Sequence, residues 1–290
     1  MRPIWWVCEH RVRLVRRMNA EPELLCADHG GVRTLTLNRP HRKNAISREL
    51  WIALRDALIA AGDDRSVRAL VIAGAGGAFC SGADIATPDP THPTYKLRNL
   101  TAVAELLHNL PMPTIAKVDG VAVGAGWNLA LGCDFVVATP GSTFSQIFVK
   151  RGLSMDLGGS WLLPKLVGLQ QAKRLTMLAE QIDATEAHAL NLVTWVVAAD
   201  EIDGFVDDLT GRLAAGPPIA LAQTKALLNE GADRTLHDAL ANEARAQAAN
   251  FATRDAQEAF AAFRARRTPE FTGQWAVPRP SSSEHRSGEK

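Results

Sequence analysis

The sequence predicts an α/β fold followed by a helical C-terminal region. Up to Asp200, short apolar runs of strand length alternate with segments whose apolar residues have helical spacing. Two of these runs end in glycine-rich turns, at residues 74–85 and 119–129, and each turn leads towards a helix. Beyond Asp200 the apolar spacing is helical throughout. This alternation is typical of a core in which strands and helices form adjoining layers.

The elements are predicted in chain order from local patterns. Strands at 24–27 and 32–37 flank His29-Gly30-Gly31, which indicates a hairpin. Ser47 is expected to cap a helix that has one apolar face. That face consists of Leu50, Leu54, Ala57, Leu58 and Ala61. The remaining predicted strands are 69–73, 114–118, 135–138 and 193–197, and the remaining predicted helices are 157–167, 202–213, 219–229 and 236–264.

The composition supports a large buried core and argues against several classes of partner. Of the 290 residues, 47% are hydrophobic, and the formal net charge of +1 gives no electrostatic reason to bind nucleic acid. No apolar run approaches the ~18–20 residues that span a bilayer, so no membrane partner is expected and the protein is predicted to be cytoplasmic. Four scattered cysteines without Cys-x-x-Cys spacing argue against a disulfide framework or a metal cluster.

The two glycine-rich turns are the strongest indication of chemistry. Small residues at the end of a buried strand allow backbone N–H groups to approach a ligand closely. The Gly-x-x-x-x-Gly-Lys-Ser/Thr pattern of a phosphate-binding loop is absent, and Leu129 occupies the third glycine position of a dinucleotide fingerprint. Either turn alone is explained by close packing of a strand against a helix. Together they indicate two N–H groups that stabilise negative charge on one carbonyl oxygen.

Several motifs, taken in order, resemble the enoyl-CoA hydratase/isomerase (crotonase) superfamily. They are LNRPHRKNA at 37–45, FCSGADI at 79–85, the run from Gly120 that ends in LGCD at 131–134, and GLSMDLGGSWLLP at 152–164. The resemblance extends from residue 22 to residue 272. It implies a crotonase-like (ClpP/crotonase) spiral of ββα units with a C-terminal helical region. It also implies an acyl-CoA thioester substrate, with no metal and no cofactor apart from the coenzyme A of the substrate.

The resemblance suggests four parts in the chain. Residues 1–21 are expected to be an N-terminal extension, either disordered or the result of a mis-assigned start. Residues 22–212 are expected to form the ββα core, and 213–272 a helical region that assembles homotrimers or dimers of trimers. Residues 273–290 end in a stretch rich in proline, serine and charge, and are expected to be disordered.

The resemblance also assigns the catalytic groups. The backbone N–H groups of Ala83 and Ala125 are expected to hold the thioester oxygen. Hydratases of the family use two glutamates to activate water, but here Asn128 and Phe148 occupy those positions. An asparagine is a poor base and a phenylalanine has no proton to exchange, so hydration by two carboxylates loses both its acid and its base.

Asp156 is the carboxylate that remains in a suitable place. Isomerases of the family carry an acid/base aspartate at this position, and the flanking runs resemble the ring-epoxide phenylacetyl-CoA isomerase subgroup. Met155 departs from the proline that is usual before this aspartate. Asp156 is also well placed to cap the helix predicted at 157–167, where the helix N-terminus would favour its ionised form. The two roles are compatible.

Substrate contacts follow from the same resemblance. Lys43, Ala45 and Ile85 are expected to contact the coenzyme A portion, with the pocket wall supplied by a loop at 87–100. Asn128 is expected either to orient the acyl chain or to bond only to helix backbone. Phe148 is expected to exclude water, or simply to pack in the core.

The predicted function is an acyl-CoA isomerase that shifts a double bond or rearranges a ring epoxide. Asp156 would move the proton while the two N–H groups stabilise the enolate. Alternatives are an enoyl-CoA hydratase, an acyl-CoA hydrolase or decarboxylase, and a non-catalytic acyl-CoA-binding protein. Cys80 lies beside the first turn, but no histidine near it in sequence would activate it, so a buried structural thiol is expected.

Overall fold

The computed structural model describes residues 21–87 and 90–276, so the predictions for residues 1–20 and 277–290 lie outside the described part of the chain. The chain divides into two compact units, the first ending at Ala214 and the second beginning at Ala215. The role predicted for 213–272 in assembly stays a prediction.

The first unit contains all the strands found in the described residues, together with six α-helices. The strands are β1 (Leu24–His29), β2 (Val32–Leu37), β3 (Ala69–Gly74), β4 (Thr114–Val118), β5 (Val121–Val123), β6 (Phe135–Ala138), β7 (Thr143–Ser145), β8 (Gln181–Asp183) and β9 (Trp195–Val196). The helices are α1 (Arg48–Asp63), α2 (Pro93–Asn109), α3 (Ala125–Leu131), α4 (Gly159–Met177), α5 (Ala184–Ala189) and α6 (Ile202–Ala214). Short 3₁₀ turns lie at Pro40–Arg42 and Ile147–Arg151.

The strands form two sheets. The larger has the order β1-β2-β3-β4-β6-β9; its β1–β2 hairpin is antiparallel and its other pairings are parallel. The smaller has the order β5-β7-β8, with β5 and β7 parallel and β8 antiparallel. This mixed architecture confirms the predicted α/β class.

Strand β3 shows how the larger sheet is covered on both faces. Leu70 and Ile72 belong to the main core, together with apolar residues of α1, α2 and α3. Val71 belongs to a second cluster with Ile202 and Val206 of α6. Because successive side chains of a strand point to opposite faces, β3 has to be apolar throughout, and this makes its run visible in the sequence.

Helix α1 begins where its local signals place it. The Ser47 hydroxyl oxygen accepts a hydrogen bond from the Leu50 N–H at 3.0 Å, so the predicted cap is confirmed. Leu50, Leu54, Leu58 and Ala61 are fully buried, and Ala57 is partly buried. A serine-to-alanine change at such a cap typically costs ~1 kcal/mol.

Four predictions about elements were wrong or incomplete. Residues 93–100, expected to be a loop, open helix α2. The helix predicted at 157–167 begins instead at Gly159, and Gly158 occupies its cap position. Strands β5, β7 and β8 were not predicted.

The fourth correction concerns the second unit, which contains α7 (Pro218–Gly231), α8 (Leu236–Phe251) and α9 (Arg254–Ala265). The helix predicted at 236–264 is two helices, because Thr253 starts a new one by accepting a bond from the Ala256 N–H at 3.2 Å. The buried Asp255 carboxylate accepts bonds from the Thr272 and Gly273 N–H groups at 2.8 and 2.9 Å, which ties the segment after α9 to that helix.

Candidate active site

The first glycine-rich turn carries one N–H group that is free to meet a ligand. After β3 the chain changes neighbours: the Cys80 N–H donates to the Val121 carbonyl at 2.9 Å, and the Asp84 N–H donates to the Ile46 carbonyl at 3.0 Å. Between them, the N–H of Ala83 has no acceptor among the described residues. Ala83 and Ile46 form an isolated parallel bridge, but its hydrogen bonds are made by Gly82 and Asp84, the neighbours of Ala83. The N–H of Ala83 itself therefore points away from Ile46.

The second turn carries a matching N–H group at the start of α3. Ala125 is the first residue of that helix, where an N–H has no intrahelical acceptor. Gly124 precedes it with φ +56°, and its own N–H donates to the Ser145 carbonyl at 2.8 Å. Within the described residues the Ala125 N–H has no acceptor. The helix dipole adds partial positive charge at this point.

The two turns are in contact. Gly82 has φ +97°, and a Cβ added to it would lie 3.0 Å from the Val123 carbonyl oxygen and 3.8 Å from the Ala125 nitrogen. Gly120 likewise lies against Gly77, because an added Cβ would be 3.0 Å from the Gly77 carbonyl carbon. The backbones that present the Ala83 and Ala125 N–H groups are therefore packed together, as two donors to one oxygen require.

Cys80 has a structural environment. It is fully buried, and burial raises the pKa of its thiol to about 12, so the thiolate is absent at neutral pH. A Cβ on Gly126 would lie 2.7 Å from its sulfur. The thiol therefore packs the first turn against α3, in agreement with the buried structural role that the sequence predicts.

Asp156 is a partly buried carboxylate at the start of a strained turn. Its Oδ1 is buried and has no hydrogen-bond partner among the described residues, and burial raises the pKa of the carboxyl to about 6 against a smaller lowering by its own N–H. The Asp156 carbonyl accepts from the Gly159 N–H at 3.0 Å across Leu157 and Gly158, which have φ +50° and +77°. Positive φ at both central residues is the pattern of a type I′ turn.

This geometry corrects the predicted helix-cap role of Asp156. Gly158 is the cap residue of α4, and no side chain caps that helix. Burial shifts the pKa of the carboxyl upwards, in the direction opposite to the one expected from a helix N-terminus. At neutral pH a carboxyl with a pKa of about 6 is mostly ionised and poised to accept a proton.

Asn128 is buried and makes two hydrogen bonds within the protein. It is 1% exposed; its Nδ2 donates to the Asp156 carbonyl at 2.9 Å and its Oδ1 accepts from Gln146 Nε2 at 2.8 Å. Gly159 lies against the amide, since an added Cβ would be 2.7 Å from Asn128 Cγ. The contacts of Asn128 thus join α3 to the backbone of Asp156, and they give no support to an additional role in holding substrate.

Phe148 lies beside the second turn. It is 8% exposed, and a Cβ added to Gly124 would be 3.7 Å from its Cζ. The ring therefore packs over the residue that precedes Ala125. It contributes an apolar surface at the position where hydratases of the family that this chain resembles carry a carboxylate.

The loop predicted to contact coenzyme A is attached to the first turn. Asn44 is fully buried with φ +55°, and its Nδ2 donates to the Ala75 and Ala78 carbonyls at 2.8 and 2.6 Å. Next to it, Lys43 is exposed, with a carbonyl that accepts from the Ser81 N–H at 3.0 Å. Ala45 is partly buried and Ile85 is 70% exposed. Lys43, Ala45 and Ile85 thus lie at the surface beside the Ala83 turn, which leaves their predicted substrate contacts open to test.

Arg39 and Asp84 form a buried ion pair that the sequence analysis missed. Arg39 Nη2 lies 3.0 Å from Asp84 Oδ2, their side chains are 9% and 3% exposed, and Arg39 Nη1 donates to the Ala45 carbonyl at 2.5 Å. Burial raises the pKa of the Asp84 carboxyl, but bonds from Thr87, Arg39 and two backbone N–H groups outweigh it and lower the pKa. Forty-five residues separate the two partners, so no local pattern reveals the pair.

Metal-binding clusters and membrane-spanning helices are both absent from the part of the chain that the structure describes. Among residues 21–87 and 90–276, no group of three or more histidine, cysteine or acidic side chains is arranged to bind a metal ion. In the same part of the chain, no helix has both the length and the apolar character needed to cross a membrane.

Known proteins resemble this chain in sequence over most of its length. The sequence profile of the enoyl-CoA hydratase/isomerase family matches residues 27–274. The chain is 37% identical over 250 residues to the 1,2-epoxyphenylacetyl-CoA isomerase of Escherichia coli (strain K12), covering 84% of this chain and 95% of the relative. It is 35% identical over 242 residues to the crotonyl-CoA hydratase of Syntrophomonas wolfei, covering 82% of this chain and 93% of the relative.

Solved structures show the same fold. An enoyl-CoA hydratase from Bacillus anthracis superposes with a TM-score of 0.84 at 28% identity, covering 87% of this chain and all of the other. An enoyl-CoA hydratase from Mycobacterium smegmatis gives a TM-score of 0.81 at 35% identity, covering 87% of this chain and 99% of the other. These likenesses confirm the predicted crotonase-like architecture.

Proposed function

Because the chain belongs to the enoyl-CoA hydratase/isomerase family, we propose that it is an acyl-CoA isomerase that uses one carboxylate as both base and acid. The observation that carries the proposal is Asp156, whose Oδ1 is buried without a partner in the part of the chain that the structure describes and whose carboxyl has a pKa of about 6. A carboxylate with these properties is suited to take up and release a proton near neutral pH.

The proposed reaction uses the two free N–H groups and this carboxylate. The thioester carbonyl oxygen accepts hydrogen bonds from the Ala83 and Ala125 N–H groups. Asp156 removes a proton from the carbon next to the carbonyl, and the electrons of that C–H bond form a dienolate. One such N–H donor contributes ~3–4 kcal/mol to the stability of the charged intermediate. Asp156 then returns the proton to the far carbon of the dienolate, and the double bond moves into conjugation.

The site favours this reaction over hydration. Water addition in the family needs a second carboxylate, yet the two corresponding positions hold Asn128, whose amide is occupied, and the ring of Phe148. The pKa of Asp156 is raised by burial. In a pair of carboxylates, the negative charge of the second group would raise it instead, and no such charge contributes here. The apolar Phe148 surface also disfavours an ordered water beside the substrate.

A ring-epoxide substrate is the second candidate. It is favoured by the 37% identity to an enzyme named as a 1,2-epoxyphenylacetyl-CoA isomerase. The same donors and the same carboxylate would serve, because removal of the proton next to the carbonyl again forms an enolate on the thioester oxygen. The enolate electrons then break the adjacent C–O bond of the epoxide, and Asp156 returns the proton to the epoxide oxygen.

The test is to mix the purified protein with 3-enoyl-CoA thioesters of several chain lengths and follow the absorbance of the conjugated product. We expect conjugation with the wild type, loss of at least about 100-fold in Asp156→Asn, and no loss in Asp63→Asn, which changes an exposed carboxylate at the end of α1. Accumulation of 3-hydroxyacyl-CoA or free coenzyme A in place of the conjugated thioester would reject the isomerase in favour of a hydratase or a hydrolase.

Assembly into trimers or dimers of trimers is proposed as well. It is supported by apolar side chains that the second unit exposes: Phe251, Phe260 and Phe263 are 60%, 54% and 84% exposed. Sedimentation equilibrium is expected to give three or six copies, and a monomer at micromolar concentration would contradict it.

A further inference from the structure

Asn128 and Gln146 connect the donor helix to the backbone of the proton-transferring residue. Gln146 Nε2 donates to Asn128 Oδ1 at 2.8 Å, and Asn128 Nδ2 donates to the Asp156 carbonyl at 2.9 Å. A carbonyl can only accept, so the amide of Asn128 must face Asp156 with its nitrogen, and its oxygen is left for Gln146. The direction of both bonds is therefore fixed by chemistry.

We infer that Asn128 and Gln146 are positioning residues, which hold the backbone of Asp156, and through it the carboxylate, in a fixed place relative to helix α3. The inference rests on the proposed function, because it concerns the proton-transferring residue of that same site. Asn128 lies three residues after Ala125 on α3, so the Asn128–Asp156 bond fixes the backbone that carries the carboxylate relative to the helix that presents one of the donors.

The strain next to Asp156 supports a positioning role. Leu157 has φ +50° although it is not glycine, and its side chain is buried at 5% exposure in the main core. Such a conformation persists only where surrounding contacts hold it. Here those contacts are the buried Leu157 side chain, the Gly159 N–H bond to the Asp156 carbonyl, and the Asn128 bond to the same oxygen.

The Asn128 and Gln146 side chains are closely packed and have little room to move. Gly159 touches the Asn128 amide so closely that an added Cβ would be 2.7 Å from its Cγ. Both Asn128 and Gln146 are buried, at 1% and 0% exposure. The Gln146 Oε1 is buried without a partner in the described part of the chain, which is unfavourable in itself. The bond to Asn128 is the contact through which the Gln146 side chain serves the site.

The first experiment measures the position of Asp156 without relying on turnover. The pKa of its carboxyl is measured by carbon-detected NMR in protein labelled at aspartate, for the wild type, Asn128→Ala and Gln146→Met. We expect the value of about 6 to fall towards the ordinary 3.8 in both variants, because a released Asp156 moves towards water.

Thr210→Val is the matched control. It removes a buried side chain's bond to a backbone carbonyl, from Thr210 to Val206 at 2.8 Å in α6, and is expected to leave the pKa of Asp156 unchanged. An unchanged pKa in both Asn128→Ala and Gln146→Met would overturn the inference whatever the reaction proves to be. Gln146→Met nearly preserves side-chain volume, so it decides the matter if Asn128→Ala does not fold.

The second experiment tests whether Asn128 acts through Asp156. Misplacement of a reacting group by about 1 Å can cost about 100-fold, so kcat for conjugation is expected to fall by about that factor in Asn128→Ala while KM stays within about twofold. In an Asp156→Asn background, the same Asn128 change is expected to cost nothing more. A further full loss in that background, or a rise in KM alone, would assign Asn128 to the substrate.

Discussion

Gly126 lies directly against Cys80, so that a Cβ added to this glycine would be 2.7 Å from the cysteine sulfur and would collide with its carbonyl oxygen. The contact joins the two donor turns, since Cys80 comes three residues before Ala83 and Gly126 directly follows Ala125. The spacing of the two N–H groups is thus set by a position that has no room for a methyl group.

Gly126→Ala is therefore expected to reduce turnover much more than its size suggests. A backbone carbonyl cannot move aside cheaply, so α3 must shift and carry the Ala125 N–H away from its place. Loss of one such donor lowers kcat by about 100- to 1000-fold, which steady-state kinetics will measure.

Gly204→Ala is the matched control for that change. Gly204 is also helical, in α6, but an added Cβ there meets nothing within 4 Å. Alanine is the better helix former, so this variant is expected to gain up to about 1 kcal/mol in unfolding free energy with unchanged kcat. Equal effects of the two variants on kcat would contradict the role given to Gly126.

The pH dependence of turnover follows from Asp156. Its carboxyl must be ionised to accept a proton, and its pKa is about 6, so kcat/KM is expected to rise with pH and level off above that value. A rate profile from pH 4 to 9 in constant ionic strength measures this. If kcat/KM instead falls only as the pH approaches the ordinary carboxyl pKa of 3.8, Asp156 is solvated or is not the base.

Asp156→Asn is expected to stabilise the protein at neutral pH. The pKa of the carboxyl is raised above 3.8 in the folded state, so the folded protein is more stable when Asp156 is protonated. This stabilisation is complete below pH 3.8 and is lost as the pH rises through about 6. Asparagine carries no charge, so above pH 6 the free energy of unfolding of the variant should exceed that of the wild type by on the order of 2 kcal/mol.

Urea unfolding at two pH values checks this sign. The difference between Asp156→Asn and the wild type should shrink when the pH falls below 3.8, since both side chains are then neutral. A variant that is less stable than the wild type at pH 7 would mean that the carboxylate is held by favourable contacts absent from this structure.

Asp84→Asn is expected to have the opposite effect on stability. It removes the buried carboxylate 3.0 Å from Arg39 and leaves Glu23 Oε1, also at 3.0 Å, as the remaining carboxylate partner, so we expect the loss of one charge-assisted bond to cost about 2 kcal/mol. Because the pKa of Asp84 is lowered in the folded state, its carboxylate stabilises the protein above pH 3.8, and this stabilisation is lost as the pH falls through the lowered pKa. The difference in unfolding free energy between the wild type and Asp84→Asn should therefore become smaller in acid.

Asp56→Asn provides the comparison, because Asp56 pairs with Arg55 at 2.8 Å with side chains 42% and 32% exposed. An exposed pair contributes no more than about 1 kcal/mol. If the two substitutions cost the same in urea unfolding at pH 7, the ion pair of Arg39 and Asp84 does not hold the Ala83 turn.

Phe148→Ala is expected to change the products as well as the rate. Removing a ring that is 8% exposed opens space beside Gly124, and the lost packing costs about 3 kcal/mol of stability. Water entering that space should yield 3-hydroxyacyl-CoA or free coenzyme A, which liquid chromatography will separate from the conjugated product. Phe148→Leu should keep the product distribution of the wild type. A slower Phe148→Ala enzyme with unchanged products would leave the ring a packing role only.

Elements with strong local signals could be predicted from the sequence. Strand β3 is apolar on both faces because it is covered on both, and α1 begins with a serine cap. The three-residue strands β5, β7 and β8 are too short to show a period. The break between α8 and α9 was missed because helical spacing continues across it.

The site could be predicted only in part, for a similar reason. Glycine-rich turns are local, so the segments that carry the Ala83 and Ala125 N–H groups are visible in the sequence. The environment of Asp156 depends on Asn128, which is 28 residues away along the chain, and the Ala83 turn depends on Arg39. Contacts at such separations follow from the tertiary fold and leave no periodic trace, which is why the cap role of Asp156 was predicted in place of its buried turn.

The most direct test of the single-carboxylate mechanism follows the proton itself. A 3-enoyl-CoA carrying deuterium at the carbon next to the carbonyl is converted by the enzyme in ordinary water, and the product is read by mass spectrometry and NMR. If Asp156 performs both steps, part of the deuterium reappears at the far carbon of the conjugated product, and Asp156→Asn forms the product at least about 100-fold more slowly. Conjugated product that is still formed at the wild-type rate by Asp156→Asn, with no deuterium at that carbon, would contradict the account.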